Sequence, residues 1–177
     1  MTVANVHFAG GPVDLANPSC PGCAAMFSPF DGPIHPYMES SPACWHAFGQ
    51  VMVREYGNDK AFATHRLSVD AYAVQHPGGD SRQAIQSVGL HLVRLCMFLE
   101  RGLTPEAAND AMLRVGKTKS KMFKLARPTN LGEVTVADVL AAQGDEAHAN
   151  AVRRWARSAW EAWAEHHATV RGWADSV

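Results

Sequence analysis

The sequence predicts a mainly α protein, a helical bundle preceded by an irregular, proline-rich segment, and three observations carry that prediction. Seven of the ten prolines stand in the first 44 residues, at positions 12, 18, 21, 29, 33, 36 and 42, where a locked φ and a missing N–H exclude regular helix. From residue 42 onward apolar residues recur at helical spacing between recognisable cap and stop residues. No strand-like alternation longer than a few residues and no internal repeat interrupts that pattern.

The elements follow in order. Ser41 is placed to cap a helix with Pro42 in its first turn, carrying Cys44, Phe48, Val51, Met52 and Glu55 until Gly57 stops it. A second helix is expected from Lys60 to His76, broken by Pro77-Gly78-Gly79, and a third from Ser81 to Arg101. Thr104 with Pro105 starts a fourth, ending near Gly116. Thr135 to Asp138 reads as a capping box opening a short helix to Gln143. A final helix of about 28 residues is expected from Glu146 to Trp173. The whole chain, 1–177, reads as one domain, with a loop segment over 1–43 and the bundle over 44–177.

The loop segment has too few apolar residues to hold itself, so something must tie it down. Cys20 and Cys23 enclose a Pro-Gly dipeptide, and Cys44 follows in the first turn of the first helix, where the helix dipole favours a thiolate. A C-x2-C knuckle with a third thiol nearby is what a tetrahedral zinc site requires. His35 is the first choice for a fourth ligand, giving a closed Cys3His shell, with His65 and His76 as alternatives. The same C-x2-C pair is also found in thiol oxidoreductases, but there it follows a strand, and nothing before Cys20 reads as one. Cys96, within an apolar helical stretch, reads as a small buried hydrophobe.

Composition bounds the rest. The net charge of −1 lacks the basic excess of a phosphate-neutralising protein, which argues against nucleic acid as a partner. No apolar run approaches the ~20 residues of a membrane span, and residues 1–7 show no leader pattern. The expected compartment is the cytoplasm, where clustered cysteines hold metal more often than they pair. The basic residues from Arg114 to Arg127 read first as a solvated face and second as a strip for an anionic ligand.

The motifs also succeed one another in a characteristic order. Cys20-Pro-Gly-Cys23, Asp31-Gly-Pro33, His35 with Tyr37, and Ser41-Pro-Ala-Cys44-Trp45 come first. His65-Arg-Leu-Ser-Val-Asp-Ala-Tyr72 with Gln75-His76-Pro77-Gly78, then Val134 to Leu140 and Trp163 to Val170, complete the series. Together they resemble the bacterial family of unknown function DUF5946 over nearly the whole chain. The resemblance implies no established activity. His46 lies outside the family's pattern, which sets it behind His35 as a ligand.

Nine histidines in 177 residues point to metal or proton chemistry. If the second and third helices pair through Pro77-Gly78-Gly79, His65 and His91 stand at the same depth and face each other. His167 or His166 on the last helix completes a three-histidine pocket, with Asp70 or Glu165 orienting an imidazole and the Asp31–Tyr37 loop as a roof. Tyr37, Asp70, Tyr72 and Gln75 would be its polar groups. On this reading the protein holds zinc at Cys20, Cys23, His35 and Cys44. His65, His91, His167, Asp70 and Tyr72 act on a small-molecule substrate by hydrolysis or group transfer. The competing reading is a non-catalytic, zinc-stabilised interaction module in which the histidines only pack. The long last helix leaves room for a homo-oligomer without demanding one.

Overall fold

A computed structural model describes residues 19–175. Pro12 and Pro18, and with them the first part of the expected loop segment, lie outside the described residues. Among the described residues eight α-helices follow the loop: α1 Pro42–Tyr56, α2 Asp59–Phe62, α3 His65–Gln75, α4 Arg82–Leu99, α5 Pro105–Thr118, α6 Val136–Ala141, α7 Asp145–Ala162 and α8 His167–Asp175. Two 3-10 turns, Lys119–Lys121 and Ala164–His166, link the later helices. Among the described residues there is no strand, only the isolated bridges Ser19–Met26 and Met38–Pro77. No helix among the described residues is long and apolar enough to cross a membrane.

Local chemistry sets the boundaries. The Ser41 hydroxyl accepts from the Cys44 N–H at 3.1 Å, Pro42 occupies the first helical position, and Gly57 closes α1. Thr104 and Ser81 cap α5 and α4 in the same way. Thr135 and Asp138 form the expected reciprocal capping box of α6.

Two expected helices are each split in two. The span from Lys60 to His76 breaks at Ala63-Thr64, where the Thr64 hydroxyl donates to the Ala61 carbonyl and competes with the backbone ladder. The last helix breaks at Trp163, whose buried indole N–H donates to the Val74 carbonyl at 3.1 Å. A straight helix of 28 residues would run about 42 Å, beyond any partner in the bundle, so the chain folds back instead.

The core lies along α3, which packs most extensively on α7 and α4. Trp155, Trp163, Tyr72, Leu92, Leu95 and Met97 are buried there. Gln75 is buried among them, and its amide groups are fully used. It accepts from the Trp155 indole at 2.7 Å and donates to the carbonyls of Leu131 and Val134, each at 2.9 Å. Gln75 is therefore a structural tie between α3, α7 and the segment before α6.

At the other end of α3 a fully buried carboxylate, Glu55 of α1, gathers three donors. His65 Nδ1 lies 3.0 Å from one oxygen, and His148 Nε2 lies 3.1 Å from the other, which also accepts from Ser68. Arg54 holds the C-terminal carbonyls of α6 and reaches His148 Nδ1 at 3.4 Å. Removing the acceptor strands these donors, so Glu55→Ala is expected to cost about 3 kcal/mol, seen as a melting temperature lowered by roughly 6–12 °C. Glu55→Gln, which keeps one acceptor oxygen, should lose about a third as much; equal melting of the two variants would contradict this role.

Candidate metal centre

Cys20, Cys23, Cys44 and His76 are all buried, and their ligand atoms lie within 4.8 Å of one another. Three separate pieces of local structure deliver them. Residues 20–25 form a tight knuckle, closed by Cys20 N–H to the Ala25 carbonyl and Ala24 N–H to the Cys20 carbonyl, each at 2.9 Å. The knuckle carries Ala24 at a left-handed φ of 59°. Cys44 comes from the first turn of α1, and His76 from the residue that ends α3.

Gly22 lets the knuckle seat against α3. A methyl group there would stand 2.6 Å from the Glu39 carbonyl oxygen and 2.7 Å from that of Gln75, and would overlap the His76 ring. Gly78 does the same on the far side, where a methyl would overlap the Tyr37 carbonyl beside the Met38–Pro77 bridge. Arg127 ties the irregular segment between the Lys119–Lys121 turn and α6 to the knuckle by donating to the Pro21 carbonyl and to Glu39.

The geometry suits a tetrahedral ion. Metal–sulfur bonds of about 2.3 Å place sulfurs about 3.8 Å apart along a tetrahedral edge, and the Cys23 and Cys44 sulfurs are 3.7 Å apart. A disulfide would need about 2.05 Å, and all four cysteines are free. His76 Nδ1 lies 2.7 Å from the Tyr72 carbonyl, which can only accept, so Nδ1 carries the proton. Nε2 is thereby left with its lone pair, 3.3 Å from the Cys44 sulfur.

Around these atoms sit groups that stabilise negative sulfur. The Ser41 N–H donates to Cys20 Sγ at 3.4 Å, and the Tyr72 hydroxyl donates to Cys44 Sγ at 3.6 Å. Tyr72 is itself clamped between Phe48, at a ring distance of 4.0 Å, and His76, at 3.9 Å. Hydrogen bonding from Cys23 and Cys44 holds the Cys20 thiol far below the ordinary range. The contact with Cys20, helped by burial, pushes Cys23 up to about 12, and the contacts with Cys20 and Cys23 push Cys44 upward as well. Three sulfurs this close cannot all ionise against one another, and a divalent cation between them removes that conflict. Burial pushes the Tyr72 phenol upward, so it stays a donor to Cys44.

The structure thus brings Cys20, Cys23 and Cys44 together, with His76 and not His35 beside them. His35 is half-buried on the loop, with its ring edge-on to Tyr37 at 4.3 Å and to Trp45 at 5.2 Å. The Asp31–Tyr37 loop rests there on α1 and does not roof a histidine pocket. His65, His91 and His167 have separate surroundings, and among the described residues no cluster of metal-ligating groups contains any of them. His65 bonds to Glu55. His91 Nδ1 bonds to the buried Asp70 at 2.7 Å, with Arg94 at 3.7 Å from the same oxygen. His167 stacks on Trp160 at 3.8 Å and reaches the Trp160 carbonyl at 3.0 Å. His166 meets the Ala126 carbonyl at 2.8 Å, and Glu165 is exposed.

His91 faces Asp70 because the linker carries the start of α4 about one turn beyond the end of α3. Asp70 lies five residues before the end of α3, whereas His91 lies nine residues after the start of α4. Counting from a symmetric turn put His65 there instead. Sequence reasoning gave no role to His148 or to the Glu55 carboxylate; a charged residue at a core-facing position of α1 was the available signal.

A family model described as "Family of unknown function (DUF5946)" matches residues 18–164. Comparison with curated proteins and with solved structures finds no match. The family match takes in the knuckle, α1 to α7 and all four clustered residues, and the chain belongs to this family, DUF5946.

Proposed function

We propose that Cys20, Cys23, Cys44 and His76 bind one zinc ion in a closed shell, and that the protein is a zinc-stabilised helical module in which the ion is structural. The observation that carries this reading is the His76 ring. Its Nδ1 proton is committed to the Tyr72 carbonyl, and its free Nε2 points into the sulfur cluster. That is the outer hydrogen bond by which a protein fixes a metal-binding imidazole. Three thiolates and one imidazole suit zinc, and four protein donors leave no position for water or substrate. Cys44 and His76 are inaccessible to solvent, and Cys20 and Cys23 nearly so, which supports a structural and not a hydrolytic role.

The energetic consequence is large. Structural zinc contributes about 10 kcal/mol or more to small folds, comparable with the whole net stability of a typical domain, about 5–15 kcal/mol. The loop from residue 19 to 41 has little apolar burial of its own, so the ion would be its principal attachment to α1 and α3.

Elemental analysis of protein purified without chelator should find one zinc per chain. Cys44→Ser and His76→Ala should reduce this to near zero, while His35→Ala and the triple replacement of His65, His91 and His167 should retain it. Retention by His76→Ala together with loss in His35→Ala would refute the assignment. Chelation of the wild type should expose the loop to limited proteolysis between residues 26 and 37 before the helices are cut. Gly22→Ala, which pushes the knuckle away from His76, should weaken zinc affinity at least tenfold, about 1.4 kcal/mol, as measured by competition with a chromogenic chelator.

A further inference from the structure

At the end of α3 remote from His76, the surface opens into a cavity of ≈ 370 Å³ between α2, α3, α4 and α5. It shares no residue with the metal centre. Its volume falls in the range of small-molecule sites, about 300–1,000 Å³. The walls are apolar, chiefly Phe62, Leu67 and Phe98, and three polar residues converge on it: His65, Arg66 and Asn109.

Each polar residue contributes differently. His65 is nearly buried and its ring is fixed, stacked on Phe62 at 5.1 Å and against Tyr56 at 4.7 Å, with Nδ1 on the Glu55 carboxylate at 3.0 Å. It forms a rigid floor. Arg66 and Asn109 have no hydrogen-bond or ion-pair partner among the described residues. No carboxylate lines the cavity, because Glu55 stands behind His65 and is spent on His65, Ser68 and His148. A mainly apolar cavity lined by one unpaired guanidinium and one unpaired amide, both on exposed residues at its mouth, is complementary to one kind of small molecule.

We propose that this cavity binds a small amphiphilic acid, an aromatic or branched apolar body carrying one carboxylate. The body lies on Phe62, Leu67 and Phe98 above the His65 ring. The carboxylate takes the Arg66 fork, with the Asn109 amide as a second donor. Phe62, which is 47% exposed without a ligand to cover it, becomes part of the wall.

The test is a chemical-shift titration of the intact, metal-loaded chain with 4-phenylbutyrate, 4-phenyl-1-butanol and butyrate. A ligand of this size is expected to bind with Kd on the order of 1 mM, moving the His65 side-chain and the residue 62–67 amide signals. The alcohol should bind at least fivefold more weakly, and butyrate should not saturate. Arg66→Gln, at an exposed position, should erase the preference for acid over alcohol. Ala63→Phe, on the rim in ordinary helical geometry, should block both. The proposal is overturned by an absence of saturable shifts, by shifts centred elsewhere, by equal affinity for acid and alcohol, or by an Arg66→Gln protein that keeps the preference.

Discussion

The last turn of α3 is where the bundle and the loop are joined, and the reason lies in its unsatisfied carbonyls. A helix ends with carbonyl groups that have no partner within it. Here the Tyr72 carbonyl is taken by the His76 ring and the Val74 carbonyl by the Trp163 indole. Capping and assembly are therefore the same act. The bond that satisfies Tyr72 also turns His76 Nε2 toward the sulfurs, and the bond that satisfies Val74 ends α7 and sends the chain back into α8. Between them, Gln75 links α3 to α7 and to residues 131–134. A change in this turn would loosen the loop, α7 and the α6 approach together.

The opposite end of α3 is held by electrostatics of a different kind. Glu55 is a buried anion whose oxygens meet two imidazoles and a hydroxyl, with the Arg54 cation one residue away on the α6 carbonyls. Asp70, in the middle of α3, is less completely served. One oxygen meets His91, while Oδ2 and the nearby Arg94 Nε are buried without a partner. Buried carboxylates of this kind add little net stability compared with apolar packing, but they penalise any other register of α1, α4 and α7 on α3. His65, His91 and His167 accordingly bond to three different partners, Glu55, Asp70 and the Trp160 carbonyl.

What the sequence made legible was whatever is decided within a few residues. Ser41 with Pro42, Thr104 with Pro105, and Thr135 with Asp138 set their helix starts through bonds spanning three positions or fewer, and the C-x2-C knuckle is equally local. The fourth member of the cluster was not local. His76 lies 32 residues from Cys44 and reaches it only because α3 ends where it does. His35 is nearer in sequence, but the loop turns its ring onto Trp45. Gly22 and Gly78 recorded the answer indirectly, since Gly22 gives way to the Gln75 carbonyl and the His76 ring at the end of α3, and Gly78, just beyond that end, gives way to the Tyr37 carbonyl of the loop. The stagger of α4 on α3 was illegible for the same reason: it depends on the path of Pro77 to Ser81 across the Met38 bridge, not on helix length.

The placement of the two sites bears on what each can do. His65 opens α3 and His76 caps its end, eleven residues on, about 16 Å along the axis. An ion held at His76 would be too far from the His65 cavity to polarise a ligand there, and a closed shell would offer nothing to exchange. Its influence on the cavity would be mechanical. The C-terminal end of α3 is fixed by the bonds of His76 and Gln75, and its N-terminal end by Glu55, so the helix behaves as a strut with both ends clamped. A rigid strut keeps Arg66 and Leu67 in register with Phe98 of α4, which pre-orders the cavity without a ligand. The buried cysteine–histidine cluster and the cavity thus lie at opposite ends of the same eleven-residue element, and neither requires the other's chemistry.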